Sequence, residues 1–380
     1  MRWSCRVMLL FLFAGMMALS AQALDFNGYM RAGVGQNVDG GAATSYGNGG
    51  SGHTVGRLGD EVDTYVELAL GETLYDEDDK SFSIHTMLVY STPEGDKDLQ
   101  GNSWQGTGGE GPWGGQRASL REAYAKGSLG GYSLWAGKRY HQRKDVHVID
   151  FYYINNSGYG AGIEDIDPGI GTLAIAWIQN GEDWQDDYSG GPQGDDWRRI
   201  NKLDIRWNDI GANTDGTIDV AVILGTASLS DSQKTMISPD GEADNSGAFV
   251  TLEHTQGNIM NGFNKAVLQY GSGGYATIGA FENHAGEIVD AVDGDGWRII
   301  NWGVLEPAKW NLGYSVMYAS RDVTDVAANN RNLLGENEFY NAVLRPGYKW
   351  SEVTQTVLEL GYANNKAEGG DWEDLSKVTL

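Results

Sequence analysis

The sequence predicts an all-β fold, a transmembrane antiparallel up-and-down β-barrel, on three observations. Hydrophobicity alternates with a period of two in about fifteen separate segments. Short turns such as GSLGG alternate along the chain with long polar stretches such as Thr92 to Arg117, the loop asymmetry of outer-membrane barrels. The chain also opens on a secretory leader, and no later apolar run is long enough for a membrane helix. Alternation alone would equally suit a soluble sandwich or propeller with its apolar face turned to a core.

The leader comes first. In MRWSCRVMLLFLFAGMMALSAQA, Arg2 and Arg6 precede an apolar run from Val7 to Ala18, and Ala21-Gln22-Ala23 is a small-residue cleavage signal. Residues 1–23 are therefore read as a signal peptide and 24–380 as one barrel domain. Cys5, the only cysteine, lies in the leader, so the mature chain has no disulfide. Loss of Arg2 and Arg6 makes the mature chain more acidic than its formal −25, which excludes nucleic acid as a partner. With 55 Gly, 13 Trp and 19 Tyr in 380 residues, the composition suits many strands joined by turns.

The strands follow in order. FNGYMRAGVG puts Gly28, Met30, Ala32 and Val34 on one face and Tyr29 and Arg31 on the other. DTYVELALG separates Val66, Leu68 and Leu70 from Tyr65 and Glu67, and FNKAVLQY separates Ala266 and Leu268 from Phe263 and Lys265. SFSIHTMLVYST, LREAYAKGSL, YSLWAGKRY, IDPGIGTLAIAWI, NKLDIRWNDI and TIDVAVILGTASL continue the series. WRIINWGVL, WNLGYSVMYAS, FYNAVLRPGYKW and VTQTVLELGYAN complete it, and KVTL starts another strand. In LREAYAKGSL, strict alternation from Arg121 sends Glu122 and Lys126 to the apolar side.

If the apolar faces meet lipid, Tyr29, Arg31, Tyr65, Glu67, Phe263 and Lys265 face the lumen. Aromatic rings turned to water are unfavourable unless they bind something flat and apolar. A sugar ring offers one C–H face for stacking and a hydroxyl rim for charged side chains. KRYHQRKDVHVIDFYY, Lys138 to Tyr153, interleaves rings with charges of both signs and is read as a loop folded into the lumen. Simple pairing of those charges with one another is the plainer alternative. His141 and His147 lack a third ligand nearby. Asp290, Asp293 and Asp295 have the wrong spacing for a calcium loop. No GxSxG, HExxH or phosphate-cradling glycine loop occurs. No cofactor, metal site or catalytic residue is expected.

The segments LDFNGYMRAGVG, GRLGDEVDTYVELALG, EHTQGNIMNGFNKAVLQY, RPGYKW and LELGY, with WAGKRYHQRKDVHVIDFYYINNSGYGAGIEDID above all, resemble the maltoporin family of outer-membrane sugar porins. The resemblance spans nearly all the mature chain. It implies an 18-stranded homotrimeric barrel, about fifteen or sixteen strands of which are present here, with an inward-folded third loop. It implies facilitated diffusion of maltose and maltodextrins along a slide of lumen aromatics flanked by polar tracks, with no catalysis. Carried over by position, the slide includes Tyr29, Tyr65 and Phe263. Trp113, or Trp104 in its place, is the loop-two tryptophan that reaches a neighbouring subunit. The tracks are Arg31, Arg57, Glu67, Arg121, Arg143, Asp145 and Asp150, with Tyr152 opposite the slide at the narrowest point. Further implied partners are malto-oligosaccharides, outer-membrane lipid and lipopolysaccharide, a periplasmic maltose-binding protein and phage.

Departures from the family are Val62 where some members have a loop cysteine, a Gly-rich second loop, and an end at KVTL, before the family's last strands. The expectation is a C-terminally incomplete barrel, because an unpaired strand edge in lipid is costly. Other functions in view are a general or other-sugar porin (sucrose, for instance), a barrel enzyme using Asp145 and Asp150 as paired carboxylates, and a secreted lectin.

Overall fold

A computed structural model describes residues 25–41, 53–61, 64–91, 117–183, 197–228, 246–279, 293–325, 334–367, 370 and 373–380. Seventeen strands form one sheet. They are β1 (Asp25–Ala32), β2 (Thr64–Glu77), β3 (Lys80–Ser91), β4 (Arg117–Leu129), β5 (Ser133–Val146) and β6 (Phe151–Ile166). Next come β7 (Thr172–Asp183), β8 (Trp197–Asn213), β9 (Gly216–Ser228), β10 (Ser246–Ile259), β11 (Gly262–Gly273) and β12 (Asp293–Leu305). The last are β13 (Trp310–Asp325), β14 (Gly335–Lys349), β15 (Gln355–Val357), β16 (Glu359–Ala367) and β17 (Glu373–Thr379).

Each strand pairs antiparallel with its sequence neighbour, except that β15 and β16 both pair with β14. β15 and β16 are one strand interrupted at Leu358, opposite Pro346, whose missing N–H breaks the ladder. Leu358 N still donates to Pro346 O at 3.0 Å. Among the described residues no ladder joins β17 to β1. The one described helical element is a single 3-10 turn, Ala276–Gly279.

Tight turns lie at one end of the sheet. Met260 and Asn261 link β10 to β11 with φ of 49° and 63°, the type I′ geometry that matches strand twist. Asp78-Asp79 and Thr214-Asp215 are the two-residue links of β2–β3 and β8–β9, each with one positive φ, at Asp78 (56°) and Asp215 (61°). The strand ends linked by the longer stretches, such as 33–63, 92–116 and 229–245, lie at the other end. Most strands run 12 to 17 residues, longer than the roughly ten that cross a bilayer.

The outer face is apolar and exposed. Leu252, Leu268 and Ile299 are direct cross-strand neighbours on β10, β11 and β12, and all three are exposed. Their inward neighbours Glu253, Val267 and Ile300 are buried. In β8, exposed Leu203 and Trp207 alternate with buried Lys202, Asp204 and Arg206. An exposed apolar exterior with charged residues such as Lys202, Asp204, Arg206 and Glu253 turned inward is the inside-out pattern of a membrane barrel.

The Lys138 to Tyr153 segment is not a loop but the upper half of a hairpin. β4 stops pairing with β5 at Ala123↔Lys138, and β7 first pairs with β6 at Tyr159↔Gln179. Beyond those points β5 and β6 pair only with each other and leave the wall. Their tip crosses the interior. Val146, Val148, Ile149, Phe151, Tyr153 and Ile154 are buried against Ile223, Phe249, Val267, Ile300 and Met317 of β9–β13. The apolar core therefore lies inside the sheet, beneath the hairpin. Polar clamps accompany it. Tyr153 Oη donates to Glu253 at 2.7 Å, Gln269 Nε2 donates to the Tyr153 carbonyl at 2.8 Å, and Arg345 donates to Val148 O at 2.5 Å. Glu253 also takes Lys265 at 2.8 Å and Lys144 at 3.1 Å. A buried carboxylate is tolerated only with such partners.

A second inward element is the 53–61 segment. His53 N donates to Ile149 O at 2.7 Å, Asn341 to Thr54 O at 2.8 Å, and Leu58 N to Glu359 Oε1 at 2.8 Å. Lys377 Nζ binds both Gly56 O and Asp60 Oδ1 at 2.7 Å. The approach to β16 is so close that a Cβ at Gly361 would lie 1.8 Å from Val55 O, so glycine is required there.

Candidate functional site

The lumen left by the hairpin lies between its pore face and β1–β4. On β1 and β2 the register sets Tyr29 opposite Glu67 and Arg31 opposite Tyr65, so four of the expected residues share one face. The Tyr29 and Tyr65 rings stand 6.2 Å apart at 57°. The Arg31 guanidinium sits 5.0 Å over the Tyr65 ring, and Tyr65 Oη donates to Glu67 Oε1 at 2.6 Å. The wall thus offers a two-ring platform with a cation and an anion at its rim.

Around Arg121 the alternation, and with it the placing of Glu122 and Lys126, needs a correction. The ladder passes from Met87↔Glu122 to Leu88↔Leu120, so Arg121 is the extra residue of a β-bulge. The bulge resets the alternation. Tyr124, which stacks on His85 at 4.7 Å, and Glu122 and Lys126 all fall on the inner side, and exposed Leu120 falls outside. Strict period two had sent Glu122 and Lys126 to lipid. Arg121 stays within electrostatic reach of both Tyr65 and Tyr140.

The hairpin supplies the facing side. The Arg143 guanidinium lies between two rings, 4.0 Å from Tyr140 and 4.2 Å from Tyr152. The neighbours of Tyr152 on β6, Phe151 and Tyr153, point the other way into the core. The aromatics of DFYY are therefore split by alternation between pore and core. Asp150, at the turn with φ 49°, lies 3.5 Å from Arg57 Nη1. Asp145 Oδ2 is 3.9 Å from His147 Nδ1.

Arg57 joins the two inward elements. It donates to His147 O at 3.2 Å and through Nε to Glu61 at 2.8 Å. Burial works against its charge, but Asp150 and Glu61 outweigh burial and raise its pKa above the usual arginine value. The His147 side chain is 66% exposed, so only partial desolvation, helped by Arg57, holds it below the usual imidazole range despite Asp145 and Asp150. A cleft of about 340 Å³ lies among Tyr29, Arg31, Arg57, Glu61, His147 and Arg345. His53, Glu61 and Asp150 present donor atoms within 4.8 Å of one another. Arg57, ion-paired to both Glu61 and Asp150, already provides the positive charge there.

Phe263 lies apart from this constellation. It stands on β11, edge-on to Trp302 at 5.0 Å and 89°, against the interior core. Trp113 and Trp104 lie outside the described residues, as does Asp290. Tyr140, Glu61 and Trp302 were missed in the sequence. Tyr140 lies in the quoted run of rings and charges, whereas nothing local marks Glu61 or Trp302.

The LamB porin family matches residues 24–380. The chain belongs to the LamB porin family. LamB porins are outer-membrane proteins, and this one is a multi-pass β-barrel of that membrane. Among solved structures it is similar to in-vitro folded OmpT, an outer-membrane protein of Vibrio cholerae, at 10% identity over 95% of this chain and 94% of that one, TM-score 0.46. It is also similar to Pseudomonas aeruginosa OpdK with vanillate, at 10% identity over 83% of this chain and 91% of that one, TM-score 0.42. In this LamB porin the lumen surface between β1–β2 and the hairpin presents rings flanked by paired charges.

Proposed function

We propose that this LamB porin passes neutral malto-oligosaccharides by facilitated diffusion, as a homotrimer without catalytic activity. The observation that carries it is the Tyr29–Tyr65 ring pair bordered by Arg31 and Glu67. Rings stack under the C–H face of a glucose unit, and the rim charges exchange hydrogen bonds with its hydroxyls. Charge pairing supports a neutral ligand. Arg31 and Arg57 are met by Glu61, Arg57 also by Asp150, and Arg345 by Glu359. Among the described residues, each arginine lining the cleft is thus met by a carboxylate, which disfavours a phosphate or carboxylate ligand. Affinity must stay modest, since a channel has to release what it admits.

The test is ion conductance of the purified protein in a planar bilayer, titrated with maltohexaose and then with sucrose. Saturable block by maltohexaose, weaker block by sucrose, and conductance in triplet steps support the proposal. Conductance without block by either sugar would assign a general diffusion porin instead.

A further inference from the structure

Glu61 is absent from the residues that the family resemblance carries over, yet two of those residues meet on it. Arg31 reaches it from β1, with Nη1 2.5 Å from Oε1. Arg57 reaches the same oxygen from the 53–61 segment through Nε at 2.8 Å and through Nη2. Side-chain exposure is low for all three, at 17% for Arg31, 9% for Arg57 and 15% for Glu61. The two guanidiniums stand close enough to repel each other. In so sheltered a place that repulsion is not screened away by water. One anion between them turns repulsion into a cation–anion–cation bridge.

Glu61 is itself well held. Its segment is fastened to β16 and β17 by Leu58 N on Glu359, by Lys377 on Gly56 O and Asp60, and by the close approach at Gly361. The bridge therefore ties β1 to a segment anchored on the far strands, and the cleft beside Tyr29 opens directly on it. Arg31 also lies over the Tyr65 ring, so its placement decides how the platform's rim meets a hydroxyl.

We propose that Glu61 is the positioning residue of the sugar cleft: one carboxylate oxygen fixes Arg31 and Arg57 together against its wall. This rests on the sugar-porin function proposed above. Two variants dissect it. Glu61→Gln keeps length and loses charge; Glu61→Asp keeps charge and loses reach. Heat-modifiable mobility on gels establishes that each has folded, and the Asp variant carries the test alone if the Gln variant does not assemble. Arginine labelling by phenylglyoxal, resolved by peptide mass spectrometry, reports on the two guanidiniums without any sugar. Labelling at Arg31 and Arg57 should be several-fold faster in both variants. The half-blocking maltohexaose concentration should rise about ten-fold in both, while the K⁺/Cl⁻ permeability ratio moves toward chloride only in the Gln variant. Unchanged labelling in both variants overturns the proposal. So does a Glu61→Asp protein that labels and blocks like the unaltered one, since Glu61 would then act as a bare charge. Faster labelling in a protein that no sugar blocks would keep Glu61 as the holder of the arginines and remove the sugar function instead.

Discussion

Tyr65 makes three contacts of different kinds: a tilted ring on Tyr29, a guanidinium over its face from Arg31, and a hydrogen bond to Glu67. Removing the ring should cost the ligand about 0.5–1.5 kcal/mol of aromatic contact, so Tyr65→Ala should weaken maltohexaose block roughly two- to ten-fold. Tyr65→Phe keeps the ring and should weaken it less; the same bilayer titration checks both. His147 gives a pH dependence. Its pKa is lowered by desolvation and Arg57, so the unfolded chain takes up the proton more readily than the folded one. Stability should therefore fall as pH drops below about 6.5. His147→Gln should remove that share of acid sensitivity, seen as a flatter dependence of the thermal midpoint on pH. At this scale Tyr29, Arg31, Tyr65 and Glu67 were legible because period two on two strands puts them on one face, and the ladder register then sets them side by side. Glu61 was not legible, because its partners come from β1 and from its own segment's anchorage on strands about 300 residues away.

The β5–β6 hairpin is held in the lumen by apolar burial and by the cluster around Glu253. Tyr153→Phe removes one hydrogen bond to that charged group, worth about 1.5–3 kcal/mol. A lower unfolding midpoint in denaturant, together with noisier open-channel current, is the expected outcome. A midpoint equal to that of the unaltered protein would show the clamp to be idle. The bulge on β4 makes a sharper prediction. Deleting Arg121 restores plain alternation between Leu120 and Glu122, so the protein should still assemble, with one lumen cation fewer. Deleting Ala123 instead would turn Tyr124 and Lys126 toward lipid, and heat-modifiable assembly should fail. Most strands were legible from alternation, and so were the tight turns. The bulge was not, because one extra residue leaves no local mark in LREAYAKGSL. The hairpin was read as a loop, although its strands run on after leaving the wall. That is why the split of Phe151 and Tyr153 from Tyr152 came only from the structure.

Across the whole molecule, an apolar exterior encloses a lumen half filled by the hairpin's core and half lined by paired charges. The chain carries a formal −25, so the access paths should favour cations even where the cleft itself is balanced. A K⁺/Cl⁻ permeability ratio above one in a salt gradient, shrinking as ionic strength rises, is expected; a ratio of one would contradict it. The barrel class was legible from alternation and loop lengths together, because lipid on one side and water on the other impose that pattern on every strand. The interior core was not, because buried apolar residues on β9–β13 look the same in sequence whether they face a core or a lipid tail. The measurement that goes most directly to the central claim is maltohexaose titration of the bilayer conductance, run on the unaltered protein and on Tyr65→Ala side by side. Saturable block of the first, clearly weakened in the second, is the predicted result. Equal block of the two, or no block of either, would contradict the assignment of the Tyr29–Tyr65 platform as the place where sugar binds.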